Sequence, residues 1–170
     1  MLKKTLVLLG MMAVGKTTLG KIVAKKKNLK FIDIDSVIEK KNSMTISEIF
    51  ENKDEKFFRK EEEKIVLEAI KQENSVISLG GGAFINPKIR NALLAETITI
   101  WLDLDIKTLS KRVEKNFKRP LLQKNNNKNT LKEIYVKRKD VYNLAHHKIN
   151  CKQRPLSLIA KDIVDIYEKY

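Results

Sequence analysis

Between an apolar run and a helical stretch the chain reads Gly10-Met-Met-Ala-Val-Gly15-Lys16-Thr17-Thr18, which satisfies the spacing G-x-x-x-x-G-K-[ST]. The glycines let the backbone wrap tightly, so that its N–H groups and the start of the next helix face phosphate oxygens. Lys16 then reaches the β- and γ-phosphates, and Thr17 offers its hydroxyl to Mg²⁺. ATP with Mg²⁺ is therefore the expected donor, held by Gly10, Ala13, Val14, Gly15, Lys16, Thr17 and Thr18.

A second group of oxygen donors follows in FIDID, where Asp33 and Asp35 stand two apart at the end of an apolar stretch. On a strand, residues two apart share a face, so both carboxylates are expected beside the phosphate loop. One can hold a water on Mg²⁺ while the other accepts a proton from an attacking hydroxyl or aligns it. The same spacing also allows one of them to do no more than cap a helix starting near Ser36.

The third group is Gly80-Gly81-Gly82, which ends the run VISL. Glycine tolerates positive φ and lets another molecule approach the backbone closely. Arginine supplies the planar two-pronged grip that a carboxylate or phosphate requires. Arg59 in FFRKEEE and Arg138 in VKRKD are candidates to hold a substrate carboxylate. Arg119 in KRPLL is the candidate to close over the γ-phosphate, and Arg112 and Arg154 are candidates for the adenine side.

These residues need a frame. Residues 5 to 9, 30 to 34, 75 to 79, 97 to 102 and the short HKINC read as strands. Helical patterns cover 16 to 27, 36 to 41, 45 to 52, 55 to 72, 87 to about 94, 130 to about 147, and 156 to 169, and Asp105 caps one more helix after the fourth strand. The alternation predicts an α/β fold: three α/β/α layers around a five-stranded parallel sheet, with ligands beyond the carboxyl ends of the strands. Residues 1 to 170 form one domain on this reading. A mobile lid is expected at about 116 to 129, where the chain turns polar and unperiodic, and a substrate-binding helical region at about 35 to 62.

Composition narrows the partners. The chain has 170 residues and a formal net charge of +14, which fits an anionic metabolite or nucleic acid. The basic excess is mostly lysine, spread along the chain. Aromatic residues suited to stacking bases are few, and Trp101 falls in an apparent core strand. Cys151 has no partner for a disulfide and, with His146 and His147, no zinc-ligand spacing, which fits a reducing cytoplasm. The apolar start TLVLLGMMAVG is too short to span a membrane and carries the phosphate-loop glycines.

Taken in order, GMMAVGKTT, FIDID, FFRKEEE, SLGGGAF, KRPLL and VKRKDVY resemble the shikimate kinases over essentially the whole chain. The resemblance implies a nucleoside-monophosphate-kinase-like P-loop fold and transfer of phosphate from MgATP to the 3-hydroxyl of shikimate by a monomer. It assigns Asp35 as the catalytic aspartate that contacts the shikimate hydroxyls, and Asp33, with Thr17, to the magnesium shell. Lys16 and Arg119 serve the transferred phosphate. Arg59, Arg138, Gly80, Gly81 and Gly82 hold the acceptor, Glu62 supports the substrate arginine, and Arg112 and Arg154 flank adenine. The chain departs from the family at Ala13, where another glycine is usual. A kinase of another small polyhydroxy acid such as gluconate is the nearest rival. A basic nucleic-acid-binding P-loop protein is the rival from a different class, and it predicts tight, salt-sensitive binding to DNA or RNA.

Overall fold

The computed structural model describes residues 5–114 and 127–170. Five strands, β1 (Leu6–Leu9), β2 (Lys30–Asp33), β3 (Ser75–Ser78), β4 (Ile98–Asp103) and β5 (His147–Asn150), form a single sheet in the order β2-β3-β1-β4-β5. All four pairings are parallel. The central strands β1 and β3 are buried along their whole length, as expected when helices cover both faces of a parallel sheet.

Eight α-helices among the described residues supply that cover: α1 (Lys16–Lys27), α2 (Ile34–Asn42), α3 (Ile46–Asn52), α4 (Glu55–Ala69), α5 (Pro87–Glu96), α6 (Ile106–Glu114), α7 (Asn127–Tyr142) and α8 (Leu156–Tyr167). Helix α1 packs on α8, and α4 packs on α2, α3 and α5. A continuous apolar cluster runs from Leu6 to Tyr167 and includes Val7, Leu8, Ile77 and Ile100, each fully buried. Each such side chain contributes about 1.5–3 kcal/mol of burial.

The helix starts follow local chemistry. The Asn86 carboxamide oxygen accepts from the N–H groups of Lys88 and Ile89, with Pro87 in the first turn where no N–H is needed. Thr45 and Glu48 form a reciprocal capping box for α3. Asp105 accepts from the Thr108 N–H at 3.0 Å, capping α6 as expected.

Several boundaries differ from the sequence expectation, in α4, in α7 and at the β2–α2 junction among others. Helix α4 stops at Ala69 rather than 72. Helix α7 begins at Asn127 rather than 130, so the last residues of the expected lid are helical, and it ends at Tyr142 rather than near His147. The β2–α2 junction lies at the site: β2 ends at Asp33 and α2 begins at Ile34, so Asp35 sits in the first turn of a helix. Strand alternation therefore does not place the two carboxylates together. A strand-to-helix turn does.

Candidate active site

Register brings the first group together. Asp33 lies opposite Ser78 across β2 and β3, and Ser78 lies opposite Leu8 across β3 and β1. The carboxyl ends of three adjacent strands thus meet just below Gly10. Thr17, at the start of α1, donates its hydroxyl to Asp33 Oδ2 at 2.6 Å and lies 3.4 Å from the Ser78 hydroxyl. Asp33 also accepts from the Ser36 N–H at 3.3 Å. It therefore does both jobs weighed for this pair, capping α2 and presenting oxygen beside Thr17.

The phosphate loop is shaped by close contact. Gly10 has φ +139, and a Cβ there would lie 2.5 Å from the Leu102 carbonyl oxygen and 3.4 Å from Trp101 Cδ1. Gly15, with φ +110, caps α1. Ala13 also takes a left-handed conformation, φ 62, one that suits glycine better than a residue carrying a Cβ. The buried Lys16 ammonium donates to the carbonyls of Gly10 and Met11, each at 2.9 Å, which curls the loop around its own cation. From α6, Arg112 Nη1 donates to the carbonyls of Ala13 and Val14 at 3.2 and 3.1 Å. It braces the loop from outside.

Magnesium suits this donor set. Thr17 and Asp33 offer hard oxygens, and no cluster of three His, Cys, Asp or Glu side chains among the described residues could cage a metal. Mg²⁺ takes one or two protein oxygens and completes its shell with water and phosphate oxygens.

The acceptor side is built from side chains that are distant in sequence. Arg59 on α4 donates from Nη1 to Glu62 Oε2 at 2.8 Å and reaches Glu55 Oε1 at 3.3 Å. Glu62 is 1% exposed. Its second oxygen, Oε1, is buried and has no hydrogen-bond partner among the described residues. Burial pushes the Glu62 carboxyl above its ordinary range; Arg59 and, more weakly, Arg138 pull it back, while the Asp35 charge pushes the same way as burial.

The three glycines serve these groups, though not in the way the sequence suggested. None of Gly80, Gly81 and Gly82 has a positive φ. Glycine matters there because a Cβ would crowd the charged ends of the side chains packed over the segment. At Gly80 it would lie 2.6 Å from Glu62 Oε1 and 3.0 Å from Asp35 Oδ1. At Gly81 it would lie 3.3 Å from Arg138 Nη1, and at Gly82 2.6 Å from Arg59 Nη1. Two guanidinium groups and two carboxylates therefore converge on one short backbone segment. Tyr142, fully buried at the end of α7, donates its hydroxyl to the Gly81 carbonyl and fixes that segment from below.

Both halves meet in one cleft of about 600 Å³, lined by Lys16, Thr17, Asp33, Asp35, Ser78 and Gly81, among others. Ala13, Gly15, Thr18 and Arg112 also line it. Arg154, two residues before Leu156, which reaches the cleft wall, pairs with Asp162 at 2.7 Å. Arg119 lies outside the described residues, as do residues 116 to 126 of the expected lid. Sequence reasoning passed over Ser78 and Tyr142. Ser78 was findable as the last residue of the strand before Gly80, but Tyr142 carries no local signal.

Comparison with known proteins decides the family. The shikimate kinase family model matches residues 12–168. A shikimate kinase of Sulfurihydrogenibium sp. (strain YO3AOP1) is 39% identical over 161 residues, spanning 95% of this chain and 96% of that one. The chain belongs to the shikimate kinase family. A solved shikimate kinase from Acinetobacter baumannii in complex with shikimate superposes with a TM-score of 0.93 at 30% identity, covering 98% of this chain and 93% of that one. A gluconokinase from Sinorhizobium meliloti reaches a TM-score of 0.63 at 12% identity, covering 99% and 93%. That second likeness shows the fold alone. Membership of the shikimate kinase family makes the chain an ATP-dependent kinase acting on a small molecule, and the parallel five-stranded sheet is the family's P-loop architecture. No helix among the described residues is long and apolar enough to cross a membrane.

Proposed function

We propose that this chain transfers the γ-phosphoryl group of MgATP to the 3-hydroxyl of shikimate, giving shikimate 3-phosphate and ADP, within chorismate and aromatic amino-acid biosynthesis. The observation that carries the reading is the convergence of Arg59 on Gly82 and of Arg138 on Gly81, where Gly81 and Asp35 share the wall of the cleft with the phosphate loop. Two guanidinium groups suit a carboxylate that must be held in a fixed orientation.

In this reading Arg59 and Arg138 take the substrate carboxylate, Glu62 holds Arg59 in place, and Gly80 to Gly82 leave room for the ring. Asp35 aligns the attacking hydroxyl and takes its proton. A bond forms between that oxygen and the γ-phosphorus as the bond to the β–γ bridging oxygen breaks, and ADP leaves with the electron pair. Lys16, the loop N–H groups and Arg119 meet the charge on the transferring group. Thr17 and Asp33 would hold Mg²⁺, which neutralises phosphate charge and orients the β- and γ-phosphates when bound. Ala13, Val14 and Thr18 line the nucleotide with Arg112 and Arg154. Residues 1–170 act as one kinase domain with its lid at about 116–129 and its acceptor helices at about 35–62. The chain works as a cytoplasmic monomer without nucleic acid.

The test is ADP release by the purified chain with MgATP, with and without shikimate, and with gluconate in parallel. Shikimate-dependent ADP formation is expected. Equal response to gluconate, or none to shikimate, would overturn the acceptor assignment.

A further inference from the structure

A second cavity, of about 410 Å³, shares Thr17 and Asp33 with the cleft of the phosphate loop. Three lysines from three elements line it: Lys21 of α1, Lys30 of β2 and Lys40 of α2. Among the described residues none of the three pairs with a carboxylate. Lys30 donates to the Gln72 side-chain oxygen, and Lys21 stands 6.0 Å from the centre of the Phe31 ring. The acid that shares the cavity, Asp33, is already engaged by the Thr17 hydroxyl and the Ser36 N–H.

The floor between the lysines is apolar. Phe31 is half-buried, and Val37 leaves 37% of its surface open. The cavity lies at the outer strand of the sheet, since β2 pairs only with β3. It is therefore open to solvent and separate from the acceptor arginines, neither of which lines it. Converging cations repel one another, and an anion placed among them relieves that repulsion. Lysine ammonium groups accept carboxylate or phosphate oxygens without demanding a planar partner. The volume is that of a small-molecule site.

We propose that this cavity binds a compact aromatic dianion, with its ring on Phe31 and Val37 and its charged groups among Lys21, Lys30 and Lys40. Thr17, Asp33 and Ser36 form walls of both cavities. A ligand here adds negative charge beside the metal flank without entering the acceptor site, so it acts as a regulator and not as a competitor of the acceptor.

The test uses the full chain saturated with ADP, so that the phosphate loop is occupied, and titrates phthalate and phenyl phosphate calorimetrically at low salt. Saturable one-site binding with a Kd below about 1 mM is expected. The double variant Lys21→Gln/Lys30→Gln should weaken it by about tenfold or more while leaving ADP affinity and basal turnover unchanged. Tighter phthalate binding would point to a carboxylate as the natural ligand, and tighter phenyl phosphate binding to a phosphate ester. Absence of saturable binding overturns the proposal. So does binding that ignores the lysine changes but disappears in Arg59→Ala, which would put the anion in the acceptor clamp. In kinetics, phthalate inhibition that is competitive with the acceptor overturns it as well.

Discussion

The donor and acceptor halves of this cleft are built in opposite ways. The phosphate loop is a run of consecutive residues whose working atoms are largely backbone, clamped between Leu102, Lys16 and Arg112. The acceptor wall gathers side chains from α2, α4 and α7 over three glycines that face away from strain. A change in the first half should therefore register as stability. A change in the second should register as affinity for the acceptor.

The largest effect tests the junction of the two halves. Asp35→Asn should lower turnover by about 10²–10⁴-fold with the fold intact, read by steady-state kinetics alongside circular dichroism. A variant that kept most of its rate would remove Asp35 from the chemistry. Next, Arg59→Ala should raise the acceptor KM by about 10–100-fold, as for a lost charge-assisted hydrogen bond, with the KM for ATP nearly unchanged. If both constants rose together, the two halves would not be separable.

A pair of glycine substitutions sharpens the contrast. Gly10→Ala places a methyl against a backbone carbonyl at a positive φ, so it should cost about 2–4 kcal/mol in urea unfolding. Gly82→Ala meets only the far end of Arg59, which can move. It should leave the unfolding midpoint nearly in place and raise the acceptor KM. Equal destabilisation by both changes would refute the distinction. Ala13→Gly is a smaller test in the opposite direction: it relieves a left-handed alanine and should stabilise the chain by about 1 kcal/mol.

The smallest effect is a slope against pH. Burial raises the Glu62 carboxyl, although Arg59 opposes it, so the folded chain keeps that proton to a higher pH than the unfolded chain does. Its contribution to stability therefore falls as pH rises above the ordinary carboxylate value, through the raised one. Glu62→Gln should flatten that part of the stability profile in unfolding measured from pH 4 to 8. An unchanged slope would show that Glu62 titrates normally.

The same contrast explains what was legible in the sequence. The phosphate loop could be read directly because its function lies in a local spacing, and the strand β1 because both of its faces are apolar. Arg59 and Arg138 could be read as arginines but not as partners, since 79 positions of chain separate them and only the packing over Gly81 and Gly82 brings them together. The need for glycine at 80 to 82 was visible, but its reason was not. Sequence suggests φ freedom, whereas the structure shows neighbouring side chains filling the space of each Cβ. Likewise Asp33 and Asp35 were read as strand neighbours because alternation is the simplest rule for a spacing of two. The cap that Asp33 provides ended the strand one residue before that rule could apply.

The close approach of Trp101 to the phosphate loop has an optical consequence. It is the chain's one tryptophan, 3% exposed, with its ring edge beside Gly10, Tyr142 at 5.9 Å and the Lys148 ammonium at 4.2 Å. Its indole N–H has no hydrogen-bond partner among the described residues. Such a fluorophore emits from an apolar setting next to the segment that must adjust when a nucleotide arrives. Intrinsic emission can thus follow loading of the donor half without a label.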